Sequence, residues 1–66
     1  MRITLNGQFE AVDEAATVAD LLARLKLEPI RVAVEVNEAL VPRKTFEKIP
    51  LRDGDRVEIV TFVGGG

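Results

Sequence analysis

The chain opens with an alternation of polar and apolar positions, in which Ile3 and Leu5 punctuate residues 2 to 6 and Gln8 to Val12 resume an extended pattern. Asn6-Gly7, between the two runs, is the dipeptide that favours a tight two-residue turn, so the segment predicts a β-hairpin. Thr17-Val18-Ala19-Asp20 then has the form of a capping box with Asp in place of Glu. Val18, Leu21, Leu22 and Leu25 recur at helical spacing, which predicts one amphipathic helix from about 17 to 26, ended ahead of Pro29. Val32, Val34 and Val36 alternate with Arg31, Ala33 and Glu35, as in a strand with one buried and one solvated face. From Asn37 to Pro50 the pattern is mixed. Leu40-Val41 reads as a short strand before Pro42, and Phe46 and Ile49 are expected to pin a helical turn or loop to the core. Asp53-Gly54-Asp55 forms a turn, and Arg56 to Val63 is the longest strand, running into Gly64-Gly65-Gly66.

Hairpin, helix, then further strands is an order that lays one helix across a mixed sheet, here of about five strands, in the α+β class. Placing the first and last strands in the middle of the sheet, parallel to each other and joined through the helical crossover, is the β-grasp arrangement of ubiquitin-like proteins. The expected division is a β-grasp domain over residues 1–63 and a flexible glycine tail over 64–66.

Composition narrows the function. Sixty-six residues suffice for one hydrophobic core and exclude a second domain. A chain this size has a radius of gyration of roughly 11 Å, whereas a substrate pocket takes ~300 Å³ or more, so a private active-site cleft would hollow out the core. The 9 Lys and Arg are outnumbered by 11 Asp and Glu and nowhere cluster beyond Arg43-Lys44, which speaks against direct nucleic-acid binding. The start, Met1-Arg2-Ile3-Thr4-Leu5-Asn6, has no apolar targeting core, and no run approaches the ~18 apolar residues of a membrane span. The expectation is a cytoplasmic protein that does not touch membranes. With neither Cys nor His, the chain lacks thiolate nucleophiles, imidazole bases, disulfides and the usual zinc ligands. It is therefore expected not to be an enzyme.

Three glycines in the last three positions, at a background of about 7% each, arise by chance roughly three times in ten thousand, so the run calls for a reason. Without Cβ atoms, the segment threads a narrow channel unobstructed. At ~3.3 to 3.6 Å per residue it carries the Gly66 carboxylate about 10 Å beyond Val63, the reach needed to enter a neighbour's active site. An α-carboxyl with a pKa near ~3.5 is ionised and a poor electrophile at neutral pH, so it must be activated, as by conversion to an acyl-adenylate. The activating enzyme has to be a separate protein, since this chain has no phosphate-binding loop and no nucleophile. The bland alternative is a flexible terminus or a linker.

Two blocks carry a family resemblance: Val32-Ala33-Val34-Glu35-Val36-Asn37 followed by Val41-Pro42-Arg43, and Asp53-Gly54-Asp55-Arg56-Val57-Glu58-Ile59-Val60 running to Phe62-Val63-Gly64-Gly65-Gly66. Over essentially its full length the chain resembles the ThiS-type sulfur carriers, small ubiquitin-like β-grasp proteins of thiamine thiazole biosynthesis. The resemblance implies that an E1-like adenylyltransferase of ThiF type spends ATP to activate Gly66. Sulfur from a cysteine desulfurase and persulfide relay then makes the thiocarboxylate, and a thiazole synthase of ThiG type accepts the sulfur. Gly66 is the attachment point, Gly65 provides clearance, and Gly64 fits a more variable position. No cofactor stays bound to the carrier itself.

On the last strand Val57 and Ile59 should face the core, which leaves Val60 and Phe62 outside as candidate anchors for a partner. Alternatively, sheet twist turns Phe62 inward. Asp53 and Asp55 read as turn formers rather than metal ligands, and Asp13-Glu14, Glu35 and Glu38 as solvated surface. Two other readings stay open. One is a thiocarboxylate carrier feeding tRNA thiolation, molybdopterin or amino-acid synthesis; the other is a β-grasp interaction module with inert glycines. A carrier that presents its tail to successive partners is expected to be a free monomer.

Overall fold

A computed structural model describes residues 1–62. Strands β1 (Arg2–Leu5) and β2 (Gln8–Ala11) are joined by Asn6-Gly7, whose φ angles of 49° and 86° are the left-handed pair that a two-residue hairpin turn demands. Helix α1 (Val18–Arg24) follows, then a short 3-10 turn at Pro29–Arg31, β3 (Val32–Val36), β4 (Ala39–Leu40), a second such turn at Arg43–Thr45, and β5 (Arg56–Thr61). The sheet order is β2-β1-β5-β3-β4, with β1 and β5 parallel and the other pairs antiparallel. This is the β-grasp arrangement expected, with a radius of gyration of 11.1 Å.

Helix α1 starts where the capping box places it. Thr17 Oγ1 accepts the Asp20 N–H at 3.1 Å, and Asp20 Oδ2 accepts the Thr17 N–H at 2.9 Å, which satisfies two orphan donors at once. A third, the Ala19 N–H, donates to the Phe46 carbonyl at 2.9 Å, tying the helix start to the segment after β4. Val18, Leu21 and Leu22 are buried against Ile3, Val34 and Val57 of the sheet, with Phe46 and Leu51 closing the core. The expectation of a helix to about 26 overshoots. Lys26 sits at φ 60°, its N–H donates to the Ala23 carbonyl, and the Leu27 N–H reaches back to the Leu22 carbonyl, a left-handed termination with Lys where Gly is usual. Leu25, expected on the apolar stripe, is the cap residue and is 37% exposed.

Three other expectations need correction. The short strand is Ala39–Leu40 rather than Leu40-Val41. Asn37 and Glu38 form a two-residue turn with both φ positive, 52° and 72°, and this fixes the register Val36↔Ala39 and Glu35↔Leu40. Val41 adds one further rung to the Val34 carbonyl before Pro42 removes the next donor. Ile49 does not pin the loop: Phe46 is 3% exposed but Ile49 is 58% exposed, since past the 3-10 segment at Arg43–Thr45 the chain runs through turns, with the Ile49 N–H on the Thr45 carbonyl, and Leu51 takes the buried place. Strand β5 closes at Thr61, with Phe62 just beyond it, and Val63 lies outside the described residues.

Candidate functional site

The strand that leads to the expected tail is β5, the middle strand of the sheet. Its antiparallel register with β3 pairs Val36 with Val57, Val34 with Ile59 and Val32 with Thr61, so Val57 and Ile59 fall on the helix side and are buried. The alternation sends Glu58 and Val60 to the open face, where Val60 is opposite Ala33 and Glu58 opposite Glu35. Leu40 pairs with Glu35 on the far side, so this face mixes exposed apolar and acidic positions. Val60 and Phe62 are 62% and 54% exposed. Phe62 therefore is not turned into the core.

Strand β5 is held on the β3 flank to its end and on the β1 flank as far as Ile59. On the β3 side the last rung is the Phe62 N–H donating to the Arg31 carbonyl at 2.8 Å. On the other side β1 stops at Leu5, and Asn6 continues the ladder. Its backbone N–H donates to the Val57 carbonyl, its Oδ1 accepts the Ile59 N–H at 2.9 Å, and its Nδ2 donates to the Ile59 carbonyl at 3.2 Å. A side-chain amide here copies a peptide group, with one acceptor and one donor presented to one residue of the neighbouring strand. Sequence reading identified Asn6 only as a turn former. A signal was present in the preference for Asn over Asp, since only the amide both accepts and donates.

The entry to β5 is stitched just as firmly. Gly54, at φ 87°, lets the Asp53-Gly54-Asp55 turn double back. The Gly54 N–H donates to the Arg2 carbonyl, Asp53 Oδ1 accepts the Arg2 N–H at 2.8 Å, and Asp55 Oδ2 accepts the Arg52 N–H at 2.8 Å. Both carboxylates therefore serve the turn, and Asp55 Oδ1 also accepts from Asn37 Nδ2. Among the described residues no cluster of three or more metal-ligating side chains occurs. Gly64, Gly65 and Gly66, the expected tail and modification site, lie outside the described residues.

Set beside known proteins, this strand and the terminal glycines fall within one alignment: a profile of the ThiS family matches residues 3–66. The chain belongs to the ThiS family. A sulfur carrier protein ThiS of Bacillus subtilis is 42% identical over 65 residues, covering 97% of this chain and 98% of that one. The crystal structure of the thiamine biosynthesis protein ThiS from Geobacter metallireducens superposes with a TM-score of 0.80 at 39% identity, each chain covered in full. A thiazole synthase of Paramagnetospirillum magneticum is 38% identical over 66 residues, all of this ThiS-family chain but 20% of the longer protein. The chain thus spans about a fifth of the thiazole synthases it matches. Among the described residues no helix is long and apolar enough to cross a membrane.

Proposed function

We propose that this chain is a sulfur carrier of thiamine biosynthesis, working through the α-carboxylate of Gly66. A ThiF-type adenylyltransferase binds ATP; the carboxylate attacks its α-phosphorus, and pyrophosphate leaves. The terminal sulfur of a persulfide, charged by a cysteine desulfurase relay, then attacks the carbonyl carbon and displaces AMP to give an acyl disulfide. A second thiol of the relay attacks the donor sulfur, which breaks the S–S bond, leaves a disulfide on the relay protein and releases the thiocarboxylate. A thiazole synthase takes that sulfur into the thiazole ring. The carrier itself performs no catalysis, holds no cofactor and works in the cytoplasm; ATP belongs to the partner. Val60 and Phe62, exposed beside the last rung of the sheet, form the surface on which partners dock.

The observation that carries this reading is the family match running through Gly66, joined to a strand held on the β3 flank up to Phe62 and on the β1 flank up to Ile59. An activating enzyme needs a defined surface from which a side-chain-free segment departs, and β5 provides one. The appearance of the same sequence pattern within proteins called thiazole synthase favours the thiazole as destination. Intact mass spectrometry after incubation with a ThiF-type enzyme, ATP and a sulfur donor is the test. Exchange of one carboxyl oxygen for sulfur adds about 16 Da. An unchanged mass with a series of such enzymes would leave the interaction-module reading in its place. Sulfur transfer from the product to thiazole synthase separates this pathway from the others.

A further inference from the structure

Arg43 opens the short turn after Pro42, and its guanidinium reaches back to the segment ahead of β3. Nε donates to the Pro29 carbonyl at 2.9 Å and an Nη2 hydrogen to the Val32 carbonyl at 3.4 Å. These two acceptors bracket Arg31, whose own carbonyl takes the final rung from the Phe62 N–H at 2.8 Å. The bracketed turn, Pro29–Arg31, has no buried residue, so no core side chain fixes it. What holds it is local, the Arg31 N–H on the Glu28 carbonyl, the Val32 N–H on the Pro29 carbonyl and an exposed Arg31–Glu28 ion pair at 3.4 Å, together with the fork from Arg43. Arg43 and Phe62 also line one open hollow of about 210 Å³ together with Pro42, Leu40 and Ala33.

We propose that Arg43 is a positioning residue for delivery of the chain end. Its planar fork fixes the turn that carries the last rung of β5, and through that rung the placement of Phe62, the residue from which the chain runs on to the glycines. The proposal rests on the carrier reading above. A guanidinium suits the task because it offers separate donors in a rigid planar fork to two carbonyls at once, whereas an ammonium gathers its donors at one point on a flexible stem and orders less. A terminal carboxylate presented to another protein's active site is sensitive to aim, since a misplacement of about 1 Å at a reacting group can cost on the order of a hundredfold in rate.

The test compares Arg43→Ala, Arg43→Lys and, as a charge control, Lys44→Ala, in the full chain. Amide exchange followed by NMR should be about tenfold faster at Phe62 in Arg43→Ala and unchanged at Ile59, which Asn6 holds independently. In pyrophosphate release with a ThiF-type enzyme, kcat should fall about tenfold with KM little changed, because the docking surface is intact and the aim is lost. Arg43→Lys should recover part of both effects, and Lys44→Ala should match the wild type. Wild-type Phe62 exchange in Arg43→Ala would overturn the proposal. So would full recovery by Arg43→Lys, or an equal loss in Lys44→Ala, since each makes charge rather than the fork responsible. If the wild-type chain is never adenylated, the carrier reading falls, while the Phe62 exchange still decides whether Arg43 fixes the turn.

Discussion

Replacing Asn6 should be among the most damaging changes available outside the core, and the structure gives the size of the loss. Asn6→Ala removes both amide bonds to Ile59 and leaves the Ile59 N–H and carbonyl, partly buried mid-sheet, without partners. An unsatisfied buried donor costs about 1 to 3 kcal/mol. Ala must also adopt φ 49°, a left-handed conformation that Asn tolerates better than Ala, a difference of up to about 1 kcal/mol. Together these give about 3 kcal/mol, a large part of the roughly 5 kcal/mol that a domain this small commands. Asn6→Gly separates the two contributions, because it relieves the backbone but still lacks the amide, and should cost about 1.5 kcal/mol. With no Trp or Tyr in the chain, urea unfolding is best followed by far-ultraviolet circular dichroism. The expected fall in Tm is about 15 °C for Asn6→Ala and half of that for Asn6→Gly. If Asn6→Gly unfolds at the wild-type urea concentration, the amide contributes nothing and the reasoning about β5 fails on that flank.

Three further outcomes are expected. Lys26→Gly, at a helix terminus with φ 60°, should raise stability by about 0.5 to 1 kcal/mol, read as a higher urea midpoint with an unchanged slope. Leu22→Ala, at a fully buried position facing the sheet, should cost about 2 to 5 kcal/mol and leave the domain largely unfolded at 37 °C by circular dichroism. Phe62→Ala should lower kcat/KM for adenylation by about tenfold while Tm moves little, because the ring is more than half exposed; equal losses in folding and adenylation would remove the docking role.

What could be read in advance follows from how local each interaction is. The Asn6-Gly7 turn and the Thr17/Asp20 box each complete their bonding within a few residues, so sequence alone locates them. The helix end was misplaced because Lys26 fills a left-handed position that Gly usually marks, and the β4 register slipped by one because Glu38 hides a left-handed turn in the same way. Phe46 and Ile49, three residues apart, would share a face of a regular helix, but past the 3-10 segment the chain makes only turns, with the Lys48 and Ile49 N–H groups both on the Thr45 carbonyl, and Phe46 is buried while Ile49 is exposed. The Asn6 amide and the Arg43 fork act across 53 and 14 positions of chain, and such bonds become visible only once the topology is known. The expectation for Gly64, Gly65 and Gly66 rests on their lack of side chains rather than on topology, and they lie outside the described residues.

The central placement of β5 also determines how the domain bears mechanical load. A pull on the chain beyond Phe62, as when a partner draws the terminus into its active site, acts along a strand whose rungs to β1 and β3 lie across the line of force. Those rungs are stressed together in shear, whereas a strand at the sheet margin would unzip one bond at a time. A load applied at the end of β5 thus falls where the sheet resists extraction most.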